Sequence, residues 1–133
     1  MNRIKIDYSK LNARAQENYN ADKLGALMAD YGYHCMRLSD DYNGADMIAL
    51  REGEEALHIQ LKGRVMIKPE YMNKGLYIAF PINGEFYVLL HDTLVEICGE
   101  RGYLKTRAWL EQGKWHVGTP PKDMILRLQE YKL

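Results

Sequence analysis

The sequence GADMIALREGEEALHIQLKGRVMI, residues 44–67, predicts two β-strands joined by an acidic turn at residues 51–55. In the second strand apolar and polar residues alternate, and successive strand side chains point to opposite faces. The apolar face comprises Leu57, Ile59, Leu61 and Val65. The polar face comprises His58, Gln60, Lys62 and Arg64. Because residues two apart on one face lie about 7 Å from each other, Gln60 and Lys62 can address one small site. Asp46 joins them if the two strands pair as a hairpin.

Length and composition limit the class of protein. The chain has 133 residues, of which 47% are apolar and 27% charged, as in an ordinary globular protein. This length predicts one domain that spans residues 1–133. The chain lacks both an apolar run of membrane-spanning length and a secretory signal, so we expect a cytoplasmic protein without membrane contact. Cys35 and Cys98 are too few and too far apart for a disulfide framework or a paired-thiolate zinc site, which predicts reduced core thiols.

The formal net charge is zero, from 18 basic and 18 acidic residues. The chain therefore lacks the positive excess that drives salt-sensitive binding to phosphates. This disfavours a protein that coats nucleic acid constitutively. It is compatible with an enzyme whose acidic site holds a divalent cation and whose basic residues belong to one groove.

A helix is predicted before the two strands. Ser9 is a candidate N-cap, and the best-patterned part is residues 20–31. One helix face carries Leu24, Leu27, Met28 and Tyr31. Gly32 is expected to end the helix in a left-handed conformation. Glu17 lies about two turns before this apolar stripe, where it is either a solvated carboxylate or a group that reaches the sheet. A strand at residues 33–38 and a turn at residues 39–44 are predicted next.

The second half of the sequence predicts a hairpin and two helices. Residues 76–90 form the hairpin, with a type I′ turn at Asn83 and Gly84. Thr93 and Glu96 fit a capping box for a short helix that Gly99 ends. Residues 109–117 are expected to be irregular or a small edge strand, and a last helix spans residues 120–131. This order of elements predicts an α/β fold with a mixed sheet flanked by helices.

These residues resemble the PD-(D/E)XK nuclease superfamily, whose pattern is an acid at one strand start and an acid-x-Lys tripeptide on the next strand. Asp46 matches the first acid and Lys62 the lysine, while Gln60 occupies the place of the second acid, as in superfamily branches that carry Gln. Glu17 is similar to the helix acid that many members add. The resemblance covers residues 10–90 in element order and implies a restriction-endonuclease-like core.

The resemblance implies a nuclease that hydrolyses DNA with Mg²⁺ or Mn²⁺. A divalent cation stabilises charge on the phosphate and generates a hydroxide-like nucleophile, and Mg²⁺ prefers hard oxygen ligands. The implied metal ligands are the side chains of Asp46, Gln60 and Glu17 and the backbone carbonyl of Leu61. Lys62 would orient or deprotonate the attacking water. The implied phosphate contacts are Arg64, His58, Lys68 and Lys74. Small members often act as dimers, so the resemblance also suggests a homodimer.

Several of these residues have structural alternatives. Polar residues that alternate on a strand often form the solvent-facing edge of an antiparallel sheet. His91 and Asp92 are interpreted as loop and helix-cap residues ahead of a catalytic pair, and His34 and His116 as packing residues. The tyrosine-rich connection at residues 71–77, with its lysines, either covers a sheet edge or stacks on unpaired bases.

Two hypotheses of different classes follow for the whole chain. The first is the metal-dependent nuclease. The second is a catalytically inactive binding or assembly module with the same fold, in which Gln60 marks a loss of metal affinity.

Overall fold

A five-stranded sheet forms the centre of the computed structural model, which describes residues 1–133. The strands are β1 (His34–Tyr42), β2 (Ala45–Leu50), β3 (Leu57–Leu61), β4 (Val65–Ile67), β5 (Tyr77–Ile82), β6 (Glu85–Leu90) and β7 (Trp115–Val117). The α-helices are α1 (Ala13–Ala29), α2 (His91–Glu100), α3 (Arg107–Leu110) and α4 (Lys122–Leu128). The expected α/β class, a mixed sheet flanked by helices, is confirmed. No helix has both the length and the apolar character needed to cross a membrane.

The order of strands in the central sheet is β1-β2-β3-β5-β6. Strands β3 and β5 pair in parallel, and the other three pairs are antiparallel. Strands β4 and β7 form a separate antiparallel pair. Strand β3 therefore lies in the middle of the sheet, with a neighbour on each side.

Apolar side chains are buried on both faces of the sheet. On one face, Leu24 and Met28 of α1 pack in a cluster with Met47, Ile59 and other strand residues. On the opposite face, residues of β5 and β6 pack with β4, α2 and α4 in a larger cluster. The alternation of neighbouring β5 residues between the two clusters follows from the strand geometry. Because helices and the small sheet cover both faces, most side chains of β3 and β5 are buried.

The N-terminal helix differs from its prediction at both ends. Its N-cap is Asn12, whose side chain accepts a hydrogen bond from the Ala15 N–H at 2.9 Å. The prediction of Ser9 as the cap was wrong, because residues 8–10 form a separate short 3-10 helix. The helix ends at Ala29, and Tyr31 is 50% exposed and lies outside the buried stripe. The left-handed conformation of Gly32 is confirmed, with a φ of 82°.

Two strand boundaries also differ. Strand β1 continues through residues 39–42, so the predicted six-residue turn is only the pair Asn43 and Gly44, with φ of 51° and 90°. The predicted long second strand is divided, because β3 ends at Leu61 and the chain then enters β4, which pairs with β7. The division means that residues 57–67 do not share one continuous polar face.

The C-terminal half agrees more closely with its prediction. The β5–β6 hairpin is confirmed, and Asn83 and Gly84 have the expected positive φ values of 51° and 78°. The capping box was wrong, because α2 starts at His91, has no capping side chain and continues past Gly99 to Glu100. Strand β7 is the small strand predicted within residues 109–117, and the last helix is shorter than predicted and ends in a 3-10 turn at Gln129–Tyr131.

Candidate functional site

Asp46 and Gln60 face each other across strands β2 and β3. Their neighbours Met47 and Ile59 are register partners, which makes Asp46 and Gln60 the next opposed pair. Gln60 Nε2 donates to Asp46 Oδ2 at 2.9 Å, and the backbone N–H of Leu61 donates to Asp46 Oδ1 at 3.0 Å. Lys62 follows at the end of β3, where its backbone N–H donates to the Ala79 carbonyl at 2.9 Å. Register and ladder hydrogen bonds thus fix the backbone of all three residues.

These three side chains line one polar cavity, which we call the first cavity. Its volume is about 570 Å³, and Glu17 of α1 lines it as well. One apolar residue, Leu38, belongs to the lining. The remaining lining residues are Arg14, Asn18, Arg37, Ser39, Asp40 and Asp41. The structure therefore brings together Asp46, Gln60, Lys62 and Glu17, the four side chains that the sequence grouped.

Burial changes the proton affinity of both ionisable strand residues. Desolvation raises the pKa of Asp46 to about 6, and the negative charges of Asp41 and Glu17 add to this, while the Leu61 N–H and Lys62 oppose it. Desolvation lowers the pKa of Lys62, with a further lowering from the charge of Lys68. A carboxyl with a raised pKa beside an amine with a lowered one is typical of sites that bind ions or transfer protons.

The oxygen atoms around Gln60 fit a divalent cation. The Gln60 side chain is 5% exposed, and its Oε1 is enclosed without a hydrogen-bond partner. Its Nε2, and not this oxygen, faces the Asp46 carboxylate at 2.9 Å and the Leu61 carbonyl at 3.4 Å, so Oε1 would join these two oxygens around a cation only after the amide group rotates by half a turn. Carboxylate, amide and carbonyl oxygens are hard ligands of the kind that Mg²⁺ prefers. No three His, Cys, Asp or Glu side chains form a metal-binding group, so a cation here would depend on neutral oxygens and water beside Asp46.

The turn before Asp46 packs against the aromatic ring that also lies near Lys62. A Cβ atom at Gly44 would lie 3.1 Å from the ring of Tyr71 and 3.2 Å from Leu76. The Lys62 ammonium lies 6.0 Å from the centroid of the same ring, and the Lys68 ammonium 5.4 Å. Tyr71 is buried. It therefore supports the start of β2 and the lysine of β3 at the same time.

The four expected phosphate contacts lie outside the first cavity. Arg64 is exposed in the loop between β3 and β4, because β3 ends before it. His58 packs against the ring of Tyr42 at 6.0 Å, and Lys68 forms an ion pair with Glu70 at 3.3 Å. Lys74 is exposed in the turn before β5. The prediction that Arg64 continues the polar face of the strand was wrong.

The structural alternatives have mixed outcomes. The solvent-facing edge is excluded for β3, because this strand is central and Gln60 is buried. His91 is fully buried and accepts a hydrogen bond from the Lys68 N–H at 3.1 Å, and Asp92 accepts one from the Asn73 N–H at 3.1 Å. The loop and helix-cap interpretation was wrong, because both residues lie within α2, whose N-cap is Leu90. The pair instead anchors the connection before β5. The packing interpretation of His34 and His116 was wrong, because both are exposed.

Sequence reasoning missed the charged residues that complete the first cavity, which are Arg14, Arg37, Asp40 and Asp41. Arg14 had a signal, because it lies three residues before Glu17 and therefore on the same helix face. Asp40 and Asp41 lie on the part of β1 that was predicted as a turn, and Arg37 lies on the part that was predicted as a strand. Arg37 also donates a hydrogen bond to Asn18 of α1, a contact that depends on how the helix packs.

The sequence matches no protein-family model and no curated protein. Among solved structures, the chain is similar to I-Ssp6803I, a bacterial homing endonuclease, with a TM-score of 0.49 and 10% identity over 90% of this chain and 94% of that chain. It is also similar to Hjc, a Holliday junction resolvase from the archaeal hyperthermophile Archaeoglobus fulgidus. That comparison has a TM-score of 0.42 and 13% identity over 57% of this chain and 76% of the resolvase chain.

Proposed function

We propose that the chain is a metal-dependent nuclease that hydrolyses phosphodiester bonds in DNA, a PD-(D/E)XK enzyme of the D…QxK form. The supporting observation is that Asp46, Gln60, Lys62 and Glu17 line one polar cavity beside a central strand. A buried amide and a half-buried ammonium are costly on such a strand unless they have partners. A cation and a phosphate would supply these partners.

The metal would be held by the Asp46 carboxylate, the Leu61 carbonyl, Glu17 and, once the amide group has rotated to exchange Nε2 for Oε1, the Gln60 side-chain oxygen. A bound Mg²⁺ or Mn²⁺ stabilises developing charge on the phosphate and lowers the pKa of water. With a pKa of about 6, the Asp46 carboxylate is ionised near neutral pH and is therefore available as a ligand. The neutral amide of Gln60 adds no charge, so we expect weaker metal binding than at a site with two close carboxylates.

Lys62 acts on the attacking water and on the phosphate. Its lowered pKa increases the fraction of neutral amine, which accepts a proton at Nζ. In the charged form the same group offsets the negative charge of the phosphate. Arg14 and Arg37 line the same cavity, and a guanidinium binds two phosphate oxygens at once. These two arginines replace Arg64 as the proposed phosphate contacts.

A catalytically inactive binding or assembly module is the second candidate. Two observations favour it: no group of three metal-ligating side chains is present, and Gln60 already satisfies Asp46 through a hydrogen bond. In this alternative the Gln60 amide takes the place of the cation beside Asp46, and the first cavity is a remnant of an ancestral metal site.

Nicking of supercoiled plasmid distinguishes the two candidates. We expect the wild-type protein to nick DNA with Mg²⁺ or Mn²⁺ and not with EDTA, and Lys62→Ala to lower the rate at least about 100-fold, as for loss of a proton-transfer group. Lys114→Ala is the matched control, because Lys114 is exposed and outside the first cavity.

Equal nicking by Lys62→Ala and the wild type would overturn the mechanism. If no condition gives nicking and Mg²⁺ or Mn²⁺ leaves the melting temperature unchanged, the inactive module is the better description.

We also propose that residues 1–133 form one domain and that two copies act as a homodimer, one per DNA strand. Sedimentation in the presence of DNA tests the dimer.

A further inference from the structure

A second cavity, which we call the second cavity, lies next to the first and is lined by residues of α1, of the segment after β3 and of the β5–β6 hairpin. Its volume is about 700 Å³. Along α1, Glu17 and Asn18 line the first cavity, and the next two residues, Tyr19 and Asn20, line the second. After β3, Lys62 lines the first and Gly63 the second. The two cavities are therefore separated by adjacent residues of the same two segments.

The second cavity combines aromatic and apolar groups with one cation, Lys23, and one carboxylate, Asp30. The rings of Tyr8 and Tyr19 lie 5.2 Å apart, and the Lys23 ammonium lies 5.4 Å from the centroid of the Tyr19 ring. The β5–β6 hairpin contributes an apolar wall of Pro81, Ile82 and Phe86. Both tyrosines are half-buried, and Lys23 is exposed. Aromatic faces beside an exposed cation are the groups that bind a base and its phosphate without regard to sequence.

Asn20 provides a polar group at the same cavity. Its side chain is 4% exposed, although it lies on a helix. The hydrogen bond it makes within the protein is the donation from Nδ2 to the Tyr8 hydroxyl at 2.9 Å. Its amide oxygen and second N–H are therefore free to bind a ligand, and together they match the donor and acceptor edge of a nucleobase.

We propose that the second cavity binds an unpaired nucleotide of the DNA substrate, next to the phosphate in the first cavity. The inference rests on the proposed nuclease function. The base packs against Tyr8 and Tyr19, its polar edge bonds to Asn20, and Lys23 contacts its phosphate. A paired base is held in the duplex stack and presents no free face to the tyrosines. The preferred substrate is thus DNA with an unpaired nucleotide beside the cleavage point.

Binding measured in EDTA tests the inference without cleavage. Fluorescence anisotropy compares a paired duplex with the same duplex carrying one unpaired nucleotide. We expect the second duplex to bind about tenfold more tightly, as for one base stacked on an aromatic ring. Tyr19→Ala should bring the ratio of the two affinities close to one, and Tyr19→Phe should keep it. Lys23→Ala, at an exposed position with little influence on folding, should lower the ratio severalfold.

Tyr31→Ala is the matched control, because Tyr31 lies beyond the end of α1 and outside both cavities, and should leave the ratio unchanged. Equal affinity of wild-type protein for the two duplexes would overturn the inference. Free dAMP that abolishes the preference at micromolar concentration would also overturn it, since the cavity would then be a site for a free nucleotide.

The plasmid assay separates this inference from the proposed function. If paired plasmid is nicked and the two duplexes bind with equal affinity, the nuclease proposal stands and the proposal of a nucleotide site in the second cavity is rejected. A clear preference for the unpaired nucleotide, with no cleavage in Mg²⁺ or Mn²⁺ of either the plasmid or the duplex that carries this nucleotide, removes the nuclease and leaves a DNA-binding cavity.

Discussion

The Gln60 amide has two different ends in the structure. One end donates to Asp46, and the other, Oε1, is enclosed without a partner. An enclosed oxygen without a donor costs free energy, and a cation or a water molecule would recover it. The hydrogen-bonding capacity of Gln60 is therefore only partly used, which makes this residue the most informative position to change.

Replacing this amide with a carboxylate should have opposite effects with and without metal. In EDTA, Gln60→Glu sets a second carboxylate against Asp46, and we expect the free energy of unfolding at pH 8 to fall by about 1–3 kcal/mol. With Mn²⁺ the variant should gain more in melting temperature than the wild type, because the cation then binds two close carboxylates.

Thermal denaturation across a Mn²⁺ titration measures both effects. Gln112→Glu, at an exposed position in a turn, is the matched control and should show neither effect. If Gln60→Glu does not increase the stabilisation by Mn²⁺, Gln60 is not a metal ligand.

The raised pKa of Asp46 predicts how stability depends on pH in the metal-free protein. The folded-state pKa of about 6 lies above the ordinary value of 3.8, so the folded protein binds this proton more tightly than the unfolded chain. The free energy of unfolding should therefore fall as the pH rises from about 4 to about 6. Because Asp46 is partly exposed, we expect a contribution of about 1–2 kcal/mol.

Urea unfolding in EDTA between pH 4 and pH 8 checks this dependence. Asp46→Asn should remove it, so that the variant gains on the wild type as the pH rises. The difference between the two proteins is needed, because burial lowers the pKa of His91 and gives a dependence of opposite sign. Asp22→Asn, an exposed position on α1, is the control. A constant difference between Asp46→Asn and the wild type would contradict the shift.

At the scale of elements, the turn between β1 and β2 determines where Asp46 lies. Gly44 has a φ of 90°, and a Cβ there would press on the rings and side chains behind the turn at 3.1–3.2 Å. Gly53, in the turn between β2 and β3, has a similar φ of 79° but no atom within 4 Å of a Cβ. The two glycines share a positive φ, which would strain any other residue, and they differ in packing.

Alanine at the two glycines should therefore have different costs. We expect Gly53→Ala to lower the free energy of unfolding by about 1–2 kcal/mol through the positive φ alone. Gly44→Ala should cost a further 1–3 kcal/mol or so through overpacking against Tyr71. It should also reduce plasmid nicking, because Asp46 moves with the turn. Urea unfolding of both variants measures the costs, and equal costs would show that Tyr71 yields without strain.

Turn and capping patterns in the sequence predicted those element ends that depend only on residues adjacent in the chain. The β5–β6 hairpin follows from Asn83 and Gly84, and Gly32 indicates the left-handed turn that follows α1, although the helix itself ends at Ala29. Two other strand ends depend on tertiary contacts. Strand β1 continues through two aspartates in an irregular segment, because its register with β2 shifts between Arg37 and Tyr42 and pairing resumes at Tyr42. Strand β3 ends early because the chain leaves to pair with β7. No residue pattern in either segment carries that information.

The same distinction applies to the candidate site. The grouping of Asp46 with Gln60 was predictable, since two strands with a short turn between them form a hairpin and opposed residues share a face. Arg37 and Asp41 enter the first cavity only because β1 pairs beside β2, and the position of α1 over the sheet is not encoded in the spacing of Arg14 and Glu17. Sequence therefore predicted the centre of the site and not its charged rim.

At the scale of the whole molecule, basic and acidic residues are equal in number, and the first cavity likewise contains both in similar numbers. Three cationic side chains line it, together with four carboxylates. The cations are Arg14, Arg37 and Lys62, and the carboxylates are Glu17, Asp40, Asp41 and Asp46. The formal charge of the lining is therefore about −1, so without a metal ion the first cavity binds phosphate only weakly, through its three cations. A divalent cation would reverse this sign.

The dependence of DNA binding on salt should consequently be shallow. With at most three cations at the phosphates, the logarithm of the association constant for paired duplex should fall with the logarithm of salt concentration with a slope of about −3 or less in magnitude. Arg14→Gln should reduce the magnitude by about 0.9. Arg107→Gln is the control, because Arg107 is exposed and paired with Glu111 on α3, and it should leave the slope unchanged. Anisotropy titrations in EDTA at several salt concentrations give the slopes. A wild-type slope steeper than about −5 would require phosphate contacts beyond the first cavity, and the basic residues outside it would then be the ones that hold DNA.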